Sequence, residues 1–139
     1  LVDGYTTFTI PRLSADDHTL NAAYAAQGNY GASSASGKLI VTQAATTTTV
    51  TSQPSHPSKA GSLVTFTATV TSEAGTPTGT VTFSDGGTSI GTGTLSGGEA
   101  TFSTSTLTVG VHSITAQYGG DTNFSVSTSS PITQTVEQD

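Results

Sequence analysis

Between Leu63 and Thr71 the chain alternates without a break, with Val64, Phe66, Ala68 and Val70 on one side and Leu63, Thr65, Thr67 and Thr69 on the other. A period of two is that of a half-buried strand. The same pattern recurs downstream. Thr78–Ser84 turns Val81 and Phe83 inward, and Asp85-Gly86-Gly87 supplies the positive dihedrals of a tight hairpin. Ile90 and Leu95 fall in short strands, Gly97-Gly98 makes the next turn, and Glu99–Ser103 points Ala100 and Phe102 inward. Gly110–Tyr118 carries His112, Ile114, Ala116 and Tyr118 on one face, and Ser127–Glu137 reads as the last strand. The first strand of this series spans about 47–52, and the two prolines of PSHPS after it predict an edge or a kinked crossing. Glu73–Pro77 reads as a turn. Nothing along the chain has the period of a helix.

Part of this pattern occurs twice. Asp16–Tyr30, DDHTLNAAYAAQGNY, echoes Gly110–Phe124, GVHSITAQYGGDTNF, at an offset of 94. The offset aligns Phe8 with Phe102, Leu13 with Leu107, His18 with His112, Leu20 with Ile114, Tyr24 with Tyr118 and Tyr30 with Phe124, and it slips by about one residue in the last strand. Residues 1–44 therefore read as the C-terminal half of a repeat unit, holding its last three strands or so, and 45–137 as a whole unit. In the half unit, Phe8 lies in a strand-like run ended by Pro11, Ser14–Asp17 is an acidic turn, and Lys38–Thr42 opens the final strand.

About seven short strands separated by Gly-rich turns, in a unit of roughly 90 residues, predict an all-β fold, an antiparallel immunoglobulin-like β-sandwich. The segments TTTTVTSQPS, LVTFTATVTS, GTPTGTVTFSDGGTSIGTGTL and HSITAQYGGDTNFSVSTS resemble the bacterial immunoglobulin-like repeats of large surface and adhesin-type proteins. The resemblance covers Thr46–Val136 and the latter half of a unit in 1–44. It implies a structural or adhesive role in domains strung head to tail, and it identifies no binding residue. The chain departs from antibody domains in having no Cys pair and no Trp, and Tyr118 stands near the end of the sixth strand rather than its start. The expected core is Phe66, Val70, Val81, Phe83, Phe102, Ile114, Tyr118 and Phe124.

Charged residues make up 9% of the chain, and the place of the missing charge is taken by Thr, Ser and Gly. Thr suits the solvated face of a strand, so the composition agrees with the pattern. Arg12, Lys38 and Lys59 stand against nine acidic residues, for a formal net charge of -6. A nucleic-acid partner is thereby disfavoured, because phosphate binding needs clustered Lys or Arg. An anionic membrane surface is disfavoured by the same sign, and no run is long enough to insert into a bilayer. The lack of Cys removes disulfides, thiolate metal sites and thiol nucleophiles together.

Candidate chemistry is sparse. His112 and His18 lie on the apolar faces of their strands, which predicts histidines hydrogen-bonded into a sandwich, and His56 sits between Pro54 and Pro57 in a loop. Asp16, Asp17, Asp121 and Asn123 offer the hard oxygens that calcium prefers, but without the alternating acidic spacing that turns ligands inward. Asp and Asn also cap turns through their own side chains, so the expectation is no resident metal and no cofactor. No nucleophile stands beside a His and a carboxylate in a recognisable motif, and an enzyme is not expected. Lys38 and Lys59 are not placed as an isopeptide bond would need. Asn123-Phe124-Ser125 fits a glycosylation sequon, and Tyr5 and Tyr30 do not make an aromatic platform for sugars.

Phe8, Leu13, Leu20, Tyr24 and Tyr30 would remain wet in a half unit standing alone, a loss on the order of 10 kcal/mol at roughly 1.5 to 3 kcal/mol per large side chain. Exposed strand edges invite added strands. The leading expectation is a spacer or stalk module of a secreted or surface-displayed bacterial repeat protein. Its partners would be neighbouring repeats or copies of itself, and its domains would be joined by a short linker near Gln43–Thr46. The alternative is an extracellular filament subunit whose incomplete unit is filled by strands of a neighbouring chain. A module binding sugar, protein or calcium through its turn loops is a third reading.

Overall fold

The computed structural model describes residues 4–10, 13–55 and 57–138 and separates into two compact units, Leu1–Thr42 and Gln43–Asp139. The strand stop assigned to Pro11, the charge of Arg12 and the loop position of His56 lie outside the described residues.

The second unit contains strands β3 (Thr47–Gln53), β4 (Ser58–Lys59), β5 (Val64–Thr71), β6 (Thr80–Asp85), β7 (Thr88–Thr94), β8 (Glu99–Thr104), β9 (Gly110–Tyr118), β10 (Ser127–Thr128) and β11 (Ile132–Glu137). They form two sheets, β3-β5-β8 and β4-β11-β9-β6-β7, with β10 also paired to β9. Seven of these strands have six or more residues, the number expected of an immunoglobulin-like sandwich. Alternation builds the core. Val64, Phe66, Ala68 and Val70 from one sheet meet Val81, Phe83, Ile114, Ala116 and Tyr118 from the other, and all of these are at most 1% exposed. Phe83 bridges the layers, with its ring 6.5 Å from Phe66 and 6.0 Å from Phe102.

Local sequence explains the connections. Gly86 and Gly87 take φ of 57° and 91°, and Asp85 pairs with Thr88 across them, as a two-residue hairpin of this hand requires. After β3 the chain leaves its sheet through the Pro54–Pro57 stretch, and β4 joins the other sheet in parallel with β11, pairing Ser58 with Val136 and Lys59 with Glu137. The expected kinked crossing is thus a change of sheet. At the β7 edge the layers close on each other, since a Cβ on Gly93 would lie 2.7 Å from the Thr101 carbonyl oxygen.

Five expectations are corrected. Ile90 and Leu95 do not share in separate short strands: β7 is continuous from Thr88 to Thr94, and Leu95 follows it into the core. The last strand is interrupted. Ser127 pairs with Tyr118 and Thr128 with Gln117, but Ile132 pairs with Ile114, so 129–131 lie opposite only 115–116. Pro131 has no N–H to offer a ladder. Ser129 closes the gap, its N–H donating to the Ala116 carbonyl at 2.8 Å and its hydroxyl accepting from the Ala116 N–H at 2.9 Å.

In the first unit β1 (Asp16–Tyr24) and β2 (Ser33–Val41) form an antiparallel hairpin, paired from Asp16↔Val41 to Tyr24↔Ser33. Asp16 and Asp17 are therefore strand residues rather than a turn, and the final strand opens at Ser33 rather than Lys38. The fifth expectation to fall is the strand around Phe8: residues 6–10 form none, and Phe8 is 87% exposed. The reason is the need for a partner. The aligned strand β8 is held by pairing with β5, and no described residue of the first unit supplies such a neighbour.

Candidate functional site

Two side-chain hydrogen-bond networks stand at opposite ends of β9 in the second unit. The end at which the chain enters is built around Asp121, in the turn after β9. Its Oδ2 accepts from the Thr78 N–H (3.1 Å) and hydroxyl (2.7 Å), and its Oδ1 accepts from the N–H groups of Asn123 (2.7 Å) and Phe124 (2.8 Å). Burial would push this carboxyl up, but the bonds from Thr78, Asn123 and Phe124 prevail and hold it below its ordinary value of 3.8. Beside it the Tyr118 hydroxyl donates to the Thr78 carbonyl at 2.6 Å. Burial first, and the charge of Asp121 second, push that phenol up.

The incoming chain is tied to this turn. Gln43 Nε2 donates to the Asp121 carbonyl at 2.8 Å. The Ala44 N–H donates to the Asn123 carbonyl at 2.9 Å, and the Ala44 carbonyl accepts from the Ser125 N–H at 2.8 Å. Thr46 donates to the Ser125 carbonyl at 2.9 Å. Gln43–Thr46, expected as a linker, is thus a strap held by 121–125. Sequence reasoning missed the strap because its partners lie about 80 residues away, and Gln43, Ala44 and Thr46 carry no motif.

The opposite end, at the start of β9, holds His112. Its Nδ1 lies 2.6 Å from Asp85 Oδ2 and its Nε2 lies 2.7 Å from the Thr108 carbonyl oxygen. Both ring nitrogens face acceptors, and only the imidazolium donates from both. The Thr108 bond and then Asp85 raise the pKa above 6.5, against a lowering by burial. With both nitrogens engaged and the residue 9% exposed, the ring is a structural cross-strand tie between β9 and β6. Asp85, read only as a turn residue, gave no sign of this role in sequence because its partner is 27 positions away.

The remaining candidates are dispersed. Asp16 Oδ1 accepts from the Asp17 N–H at 2.8 Å, and Asp17 pairs with Lys38 at 3.0 Å in an exposed bridge. Lys59 meets Glu137 at 3.6 Å, also exposed. His18 Nε2 lies 2.8 Å from the Ser14 carbonyl oxygen. Among the described residues no three His, Cys, Asp or Glu side chains come together as a metal would need.

The family model of the bacterial Ig-like domain (group 3) matches residues 37–137. The chain belongs to that family. No curated protein matches it. Among solved structures, the fibronectin(III)-like modules of Clostridium thermocellum CbhA are similar, with a TM-score of 0.53 and 24% identity over 65% of this chain and 94% of that one. That likeness is one of fold. A bacterial Ig-like domain with this architecture fits a structural module of a bacterial protein, and among the described residues no helix is long and apolar enough to cross a membrane.

Proposed function

We propose that the chain is a spacer module of a secreted or surface-displayed bacterial repeat protein, with neighbouring repeats as its partners and no catalytic activity of its own. The observation that carries this reading is the course of the chain through the second unit. It enters beside Asn123 and Ser125, past the Tyr118 end of β9, and leaves along β11 at the Gly110 end, where Val136 pairs with Gly110. Entry and exit therefore lie at opposite ends of the strands, the arrangement that lets units follow one another in line. The parallel pairing of β4 with β11 lies along the same direction, so tension between the ends loads its hydrogen bonds together in shear instead of peeling them singly.

The test is single-molecule pulling on the 139-residue chain held at its two ends. The second unit should resist and then give way in one event, releasing about 300 Å of chain at roughly 3.3–3.6 Å per residue. Smooth extension without a force peak would refute the spacer reading.

A further inference from the structure

The turn end of the hairpin in the first unit reproduces that of a hairpin in the second. Tyr24 pairs with Ser33 as Tyr118 pairs with Ser127. The Gln27 N–H donates to the Tyr30 carbonyl at 3.0 Å, as Asp121 does to Phe124 at 3.0 Å. His18 Nε2 lies 2.8 Å from the carbonyl oxygen four residues before it, and His112 does the same at 2.7 Å. The turn end and the histidine are set alike in both, while the partner strands differ, β2 running unbroken where β10 and β11 are offset by one residue.

What differs is the covering. Ile114 and Tyr118 are 0% exposed, whereas Leu20 is 43% exposed and Tyr24 only half-buried; Phe124 is 9% exposed and Tyr30 73%. In the second unit β9 is flanked by β6, which pairs Val81 with Tyr118, Phe83 with Ala116 and Asp85 with Ile114. That neighbour also supplies the Asp85 carboxylate to His112 Nδ1, and Thr78, two residues ahead of it, supplies its carbonyl to the Tyr118 hydroxyl. In the first unit, among the described residues, β1 pairs with β2 alone, and the His18 Nδ1 and Tyr24 hydroxyl have no such partners.

We propose that β1–β2 is a docking surface for the front strands of a like repeat, and that His18 Nδ1 and the Tyr24 hydroxyl read the strand that lies along β1. The incoming strand has the character of Thr80–Asp85: apolar side chains opposite Tyr24 and Ala22, and a carboxylate at its end for His18. Tyr24 takes a backbone carbonyl just ahead of that strand. The occupant is the front half of a like repeat, tethered in the same array and bearing a strand like β6. A second copy is a poor donor, because its own front strands are sealed against its β9, with Phe66 and Phe83 fully buried, and releasing them would cost that copy its fold. A tethered segment has no such cost and acts at high effective concentration.

This inference rests on the repeat reading of the proposed function, and its test separates the two. A copy of residues 45–94 is joined ahead of Leu1, and hydrogen exchange is measured in the lengthened chain and in the 139-residue chain. The amides of β1 should exchange about 100-fold or more slowly in the lengthened chain. Asp85→Asn made in the added copy alone should remove part of that protection, and His18→Asn combined with it should remove little more, since both break one contact. Unchanged exchange of β1 would overturn the proposal, as would protection found only in a dimer. Protection that survives Asp85→Asn intact would overturn the assignment of His18. A chain that shows a force peak while β1 stays unprotected fails this inference alone, and one that docks but extends smoothly fails the spacer reading alone.

Discussion

Replacing Asp121 by Ala removes four hydrogen bonds at once, those from Thr78 N–H and hydroxyl and from the Asn123 and Phe124 N–H groups. A bond to a charged acceptor contributes about 1.5–3 kcal/mol when dry, but this turn is open enough for water to compete, and about 0.5–1 kcal/mol each is the better figure. The expected loss is about 2–4 kcal/mol, a large share of the roughly 5–15 kcal/mol of a typical domain. At about 4–8 °C per kcal/mol for a unit of this size, the melting point should fall by roughly 8–30 °C. Asp121→Asn should cost about half as much, since Oδ1 still accepts while its amide group opposes the Thr78 donors. Urea unfolding at several pH values is the assay. The folded pKa of Asp121 is depressed, so its stabilisation is present above the unfolded carboxylate value and is lost as pH falls through the lower folded value. The gap between the parent and Asp121→Ala should therefore close in acid. A variant within about 0.5 kcal/mol of the parent at pH 7, the range of an ordinary surface substitution, would refute the reasoning, and so would a gap that stays constant with pH.

The His112 tie has the opposite sign. Its folded pKa is raised above 6.5, so its contribution is complete below that value and is lost as pH rises through the folded one; His112→Gln should flatten the dependence of the urea midpoint on pH above 6.5. Gly93→Ala should cost about 1–3 kcal/mol in the same measurement, because the new Cβ meets the Thr101 carbonyl and one of the two layers must move. Gln134 is fully buried, its Nε2 donating to Ser58 Oγ at 3.0 Å while its Oε1 has no partner among the described residues. Gln134→Met should be neutral or stabilising by up to about 1 kcal/mol, and a loss larger than that would show that the amide oxygen is in fact satisfied.

How much was legible in the sequence follows from the range of each interaction. Alternation is local, so the inward faces of β5, β6 and β9, and with them Phe66, Val81, Phe83, Ile114 and Tyr118, could be named from Val64, Thr80 and Gly110 onward without a partner in view. The 94-residue echo was equally visible, because aligned positions need only be compared. The strap of Gln43–Thr46 on 121–125, the pairing of Asp85 with His112 and the saturation of the Asp121 carboxylate could not be read so. Each joins residues 27 to 81 positions apart, or depends on a turn presenting N–H groups to a side chain, or both.

By itself, then, the sequence determined the sandwich, its inward residues and the 94-residue echo between its two units, since period-two patterning and turn chemistry are properties of short stretches. Tertiary structure alone decided which of those patterns became real strands and which polar groups became ties. The run around Phe8 has the pattern of β8 and stays unpaired, because a strand exists only when a neighbour accepts its hydrogen bonds. Asp121 could have been a ligand or a cap by its chemistry, and the chain folded around it made it the knot that holds the entry of the domain.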